Sequence, residues 1–257
     1  MGRLDGKVAV ITGSARGIGK QIALTFAKEG ADILVEDVLV PEIEKTAQEI
    51  RDLGRKAIAV KADVSNRADV KKMIEAAIDN FKKVDILVNN AAIPSRQTLL
   101  ETTDERWDRV VNVNMKGVML TTQTVAPYMI ERKYGKIVNI SSIAGRGHRV
   151  LSSSSFTASK AGVIQLTMTH ALELGRYGIN VNCIACGPVE TDFSRIGRTP
   201  EQLRAHHADL AEHSCLGRVG TKQEVANVAL FLASDESSFM TAQSLTVDGG
   251  NYLYLPT

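Results

Sequence analysis

The sequence predicts an α/β protein built on a doubly wound, mainly parallel sheet of seven strands with helices on both faces. Two observations carry this. Short, almost wholly apolar runs alternate with longer amphipathic stretches from the first residues to nearly the last, and a glycine-rich turn joins the first run to the first amphipathic stretch. Strands covered on both faces need apolar side chains on both, so continuous apolar runs argue for buried parallel strands. Alternating strands and helices pack as a parallel sheet through right-handed crossovers.

The elements follow in order. An apolar run at 8–11 leads to an amphipathic stretch at 18–29, a run at 33–35 to one at 41–53, and a run at 57–60 to one at 68–81. The fourth run, 86–88, precedes a long stretch at 104–131, and the fifth, 137–140, precedes one at 156–177. The sixth run, 181–185, is followed by residues 187–220, which fit neither pattern but hold a short helix-like segment at 201–212 and several histidines. A helix at 222–233 and a strand at 244–247 complete the set. Ligands of such sheets bind beyond the carboxyl ends of the strands, so the long connection near 190–216 is expected to form a lid.

No repeat, low-complexity tract or Pro/Gly linker divides the 257 residues, so a single catalytic domain spanning 1–257 is expected. With 31 basic and 29 acidic residues the net charge is +2, which makes no case for nucleic acid or an anionic membrane as partner. The N-terminus lacks the pattern of a secretory leader, and no apolar run approaches the ~20 residues of a membrane-spanning helix, so a cytoplasmic location is expected. Cys183, Cys186 and Cys215 are an odd number with no histidine at ligand spacing. They are read as core or pocket-wall thiols, and no metal site is expected.

After the first run comes Thr12-Gly13-Ser14-Ala15-Arg16-Gly17-Ile18-Gly19. Glycines there let the backbone turn tightly and approach a pyrophosphate at the positive end of the next helix. Gly13, Arg16, Gly17, Ile18 and Gly19 are therefore cofactor-binding candidates in a Rossmann-like arrangement, with G-x-x-x-G-x-G spacing. The second run ends in Glu36-Asp37. An acid about 20 residues past the glycine turn accepts from ribose hydroxyls and repels a 2′-phosphate, so Asp37 favours NAD over NADP. Arg16, which could reach such a phosphate, argues mildly the other way.

With these residues in place the whole chain resembles the short-chain dehydrogenase/reductase family. Thr12–Gly19 is similar to its T-G-x-x-x-G-x-G, Asp63-Val64 to the dipeptide that holds the adenine, and Asn89-Asn90-Ala91-Ala92 to its N-N-A-G, with alanine for the last glycine. Gly217-Arg218-Val219-Gly220 and Val247-Asp248-Gly249-Gly250 resemble further signatures. The resemblance implies that Asp63, Val64, Asn90, Ala91, Val189, Thr191 and Lys160 touch the cofactor. It also implies a secondary-alcohol or ketone substrate, a homotetramer, and catalytic roles for Asn114, Ser142 and Lys160. Cys186 replaces the usual proline of the segment Ala185-Cys186-Gly187-Pro188-Val189-Glu190-Thr191.

The family's Y-x-x-x-K is represented by Phe156-Thr157-Ala158-Ser159-Lys160. Residues four apart share a helix face, so Phe156 and Lys160 should point the same way. Phenylalanine has no exchangeable proton and no acceptor, and cannot serve as general acid or base. It reads either as an introduced Tyr→Phe change that inactivates an otherwise complete enzyme, or as a residue of a natural member that turns over weakly or serves as an NAD-binding regulatory or scaffold protein. Residues 93–98, 143–151, 186–189 and 192–216 are expected as pocket walls. Among them Arg96, Arg146, His148, Arg149, Arg195 and Arg198 could hold an acidic substrate or be solvated surface charges.

Overall fold

The computed structural model describes residues 2–147, 153–191 and 198–253. The first half runs β1 (Val8–Ile11), α1 (Gly17–Lys28), β2 (Asp32–Asp37), α2 (Val40–Asp52), β3 (Ala57–Lys61), α3 (Arg67–Phe81) and β4 (Ile86–Asn89). The second runs α4 (Asp104–Val111), α5 (Gly117–Arg132), β5 (Gly135–Ser142), α6 (Ser154–Leu174), β6 (Ile179–Cys186), α7 (Pro200–Glu212), α8 (Lys222–Ala233) and β7 (Ser244–Val247). The strands form a seven-stranded sheet in the order β3-β2-β1-β4-β5-β6-β7, with every neighbouring pair parallel. The doubly wound α/β fold expected from the apolar runs is the fold found.

Alternation along each strand divides the core in two. Ile11, Ile33, Val35 and Val88 point to one face, where Ile22 and Phe26 of α1 and Val225 and Leu230 of α8 cover them. Val10, Leu34, Leu87 and Ile137 point to the other, against Met73 and Ile74 of α3 and Leu120 and Met129 of α5. Helix starts are fixed locally: Asn66 accepts from the Ala68 amide at 2.9 Å to cap α3, and Thr221 and Glu224 form a capping box on α8. α1 differs, for its N-cap, Arg16, makes no side-chain cap, which leaves the amides of its first turn facing the carboxyl edge of the sheet.

The single helix expected over 104–131 is not continuous. A π turn, Asn112–Lys116, separates α4 from α5. Such a turn inserts a residue into the helical ladder and is frequent where a side chain must be aimed. The one at its centre is Asn114, fully buried.

Candidate active site

The chain reverses strand order between β1 and β4, and a cleft of about 550 Å³ opens at the carboxyl ends of the strands on either side. The glycine turn forms its floor. Thr12 closes the gap between the two strands: its hydroxyl accepts from the amides of Asn90 (3.0 Å) and Ala91 (3.1 Å). Asn90 reciprocates, its Nδ2 donating to the carbonyls of Thr12 (3.0 Å) and Gly13 (2.9 Å). The fit is tight, since a Cβ on Gly19 would stand 2.3 Å from the Gly13 oxygen. Gly17 is the contrast: its φ is +61° and a Cβ there would meet nothing within 4 Å. An open, left-handed glycine beside uncapped helix amides has the chemistry of an anion cradle, and it fits a dinucleotide pyrophosphate.

Acids gather where β2 and β3 end. Asp37 lines the cleft and is oriented by the backbone, Oδ1 accepting from the amide of Val38 (2.8 Å) and Oδ2 from that of Ala15 (3.4 Å). Glu36 is 2% exposed and accepts from the Gly13 amide at 3.2 Å. Burial pushes its carboxyl well above the ordinary range, the Gly13 amide pulls it back, and Asp37, Asp63 and Asp69 push it up again. At Asp63 the balance is opposite. Burial raises it, but hydrogen bonds from Ser65 (2.6 Å from the hydroxyl) and Arg109 (2.9 Å) hold it below the usual carboxylate range.

On the far side, β5 and α6 bring Ser142, Phe156 and Lys160 to the cleft wall. The Ser142 hydroxyl accepts from the Ala144 amide at 3.1 Å. One helical turn separates Phe156 from Lys160, whose Nζ lies 5.8 Å from the ring centroid and donates to the Ile140 carbonyl at 2.9 Å. Burial lowers the Lys160 ammonium to about 8, while it raises the neighbouring Cys186 thiol to about 12. Asn114 works from behind the wall. Its Oδ1 accepts from the Ile93 amide (2.8 Å), and its Nδ2 donates to the Ile93 carbonyl (3.1 Å) and to Ser159 Oγ (3.3 Å).

Gly13, Arg16, Gly17, Ile18, Asp37, Asp63, Val64, Asn90, Ala91, Ser142, Phe156, Lys160, Val189 and Thr191 thus all line one cleft. Gly19 and Asn114 do not, and serve by packing and by pinning the wall. Of the basic residues read from the sequence, Arg96 and Arg198 line the cleft. Arg146 is turned out of it and donates to the Ser244 carbonyl. His148, Arg149 and Arg195 lie outside the described residues. Ser95, His206 and His207 line the cleft from the expected walls 93–98 and 192–216, and Glu36 lines it without having been singled out in the sequence. The adjacent acids at 36 and 37 were a usable signal for Glu36, whereas nothing in the composition of 201–212 says which side of α7 meets the cleft.

Among the described residues no helix is long and apolar enough to cross a membrane. Residues 13–251 match the family model described as enoyl-(acyl carrier protein) reductase. The chain is 42% identical over 248 residues to the 3-oxoacyl-[acyl-carrier-protein] reductase FabG of Thermotoga maritima, covering 96% of this chain and 98% of that protein. The crystal structure of levodione reductase superposes with a TM-score of 0.93 at 31% identity, covering 98% of this chain and all (100%) of the other. A 7α-hydroxysteroid dehydrogenase complexed with NADH and 7-oxo glycochenodeoxycholic acid gives 0.91 at 36%, over 96% and 95% of the two chains. Sheet order, glycine turn and end-to-end similarity agree: the chain belongs to the short-chain dehydrogenase/reductase family of oxidoreductases.

Proposed function

We propose that the chain is an NAD-dependent oxidoreductase that interconverts a secondary alcohol and a ketone, with its own turnover held low by Phe156. The observation that carries this reading is the convergence, in one cleft, of the open glycine turn, Asp37, Ser142 and Lys160. Gly17 and the uncapped amides of α1 receive the pyrophosphate, and Asp37 receives the ribose hydroxyls and disfavours a 2′-phosphate. The structural relative complexed with NADH supports a nicotinamide cofactor of this kind. When bound, the nicotinamide supplies or accepts a hydride.

The chain's own residues do the rest. Ser142 hydrogen-bonds the substrate oxygen, and Lys160 places a cation at the base of the site. The group that would pass a proton to or from that oxygen is missing, because Phe156 carries no hydroxyl. Positioned general acids and bases typically contribute ~10²–10⁴ in rate. Phe156→Tyr is therefore expected to raise turnover at least ~10²-fold on alcohol or ketone substrates with NAD(H). A screen of sugars, sugar acids, steroids and simple ketones checks this, and equal turnover by both forms refutes it. Phe156 itself favours a second reading, an NAD-binding regulatory or scaffold protein, which predicts NAD binding with no oxidoreduction even after the change. The single catalytic domain with its lid near 190–216, and assembly as a homotetramer, are part of the same proposal.

A further inference from the structure

The cleft is polarised by the topology of the sheet. Its acids, Glu36, Asp37 and Asp63, come from the ends of β2 and β3 on one side of the strand-order reversal. The guanidinium groups Arg96 and Arg198 and the imidazoles His206 and His207 come from the connections that follow β4 and β6 on the other. Arg96 belongs to the segment that Asn114 pins through Ile93, and the same asparagine amide reaches Ser159, between Phe156 and Lys160. Arg96 is therefore tied to the side of the cleft that holds the reacting groups, and Arg198 lies close enough to feel its charge.

They also crowd one another. Burial holds Arg198 below its ordinary range, and the charge of Arg96 lowers it further. His206 is lowered by burial first, then by Arg198 and His207, with Arg96 adding to them and Asp209 opposing. Asp209 is shared with His213, whose Nδ1 is 3.7 Å from it. Ser95, next to Arg96, is 6% exposed, and its hydroxyl has no hydrogen-bond partner among the described residues. Two guanidinium charges brought together are stabilised by an oxyanion, which accepts from both and from the hydroxyl and imidazole donors that line the same cleft.

We propose that Arg96 and Arg198, with Ser95 beside them and His206 and His207 from α7, form a subsite for an oxyanion on the substrate. The group is a carboxylate, sulfonate or phosphate set away from the carbon that reacts. The proposal rests on the oxidoreductase reading above and names its substrate class.

The test is isothermal titration of the protein saturated with NADH, using matched charged and neutral ketones. The pairs are 4-oxopentanoate with 4-oxopentanamide, 3-oxobutanesulfonate with its sulfonamide, and dihydroxyacetone phosphate with dihydroxyacetone. In at least one pair the anion should bind roughly tenfold or more tightly than its neutral partner, and the pair that responds identifies the anion. That advantage should vanish in Arg96→Gln/Arg198→Gln while NADH affinity stays the same. Equal binding within every pair, no binding by any, or an advantage that survives the double substitution overturns the subsite. Failure of NADH itself to bind overturns the oxidoreductase reading instead, so the two are told apart.

Discussion

Glu36 shows how one residue under the glycine turn couples stability to pH. A carboxyl raised in the folded state and ordinary in the unfolded chain costs nothing where both are protonated, and lowers stability as pH rises from the ordinary glutamate range through the raised one. Glu36→Gln keeps an acceptor for the Gly13 amide and removes the ionisation. It should match the parent in urea denaturation at acid pH and exceed it by at least about 1 kcal/mol at pH 8. The same pH dependence in both proteins would show that Glu36 is not buried as an acid. At this scale the sequence was informative where a motif forces a position and silent where packing decides. Asp37 follows from its distance to the glycine turn, and Lys160 from the resemblance of 156–160 to the family's Y-x-x-x-K. The direction Arg146 takes depends on a carbonyl of β7 nearly a hundred residues away, and the helix-like pattern of 201–212 does not say that His206 and His207 are on the side of α7 that meets the cleft.

The glycine turn is the element on which cofactor binding depends, and its glycines do different things. In Gly19→Ala the new methyl would meet the Gly13 carbonyl oxygen at 2.3 Å and Asn90 Nδ2 at 2.4 Å, so the turn must shift. Overpacking of that kind costs typically ~1–3 kcal/mol, and urea denaturation should record it. Gly17→Ala places its methyl in open space and bears only the left-handed backbone, roughly 1 kcal/mol. Its main effect should be on ligand binding, with NADH affinity falling about tenfold or more, since the methyl projects where a phosphate must approach. Undiminished NADH affinity in Gly17→Ala would remove the pyrophosphate from that place. Strand and helix positions were legible here because burial on both faces writes itself as apolar runs. Their ends were not, because Asp32, Asp37, Gly135 and Ser142 pair in the ladder as polar or small residues. The break between α4 and α5 was hidden too, since a π turn preserves helical composition while it redirects Asn114.

At the scale of the molecule, α6 serves the site and faces outward at once. Its inner side carries Lys160, Val163 and Thr167, all buried, against β5 and β6. Its outer side shows Met168, 38% exposed, and, one turn on, Leu172 at 83%, while Trp107 of the neighbouring α4 is also exposed. A lone exposed leucine is ordinary on a protein surface. Two large apolar side chains one turn apart, on the helix whose other face holds the reacting groups, fit the covered face of the proposed homotetramer better. Leu172→Arg places a cation on that face without touching the core. Sedimentation velocity should show the parent as a tetramer and the variant as a smaller species, with urea denaturation of the separated chain little changed. A parent that sediments as a monomer, or a variant that sediments with it, would leave Leu172 a solvent-facing residue. The cleft would then be complete within one chain, and a change at 172 would have no route by which to alter it.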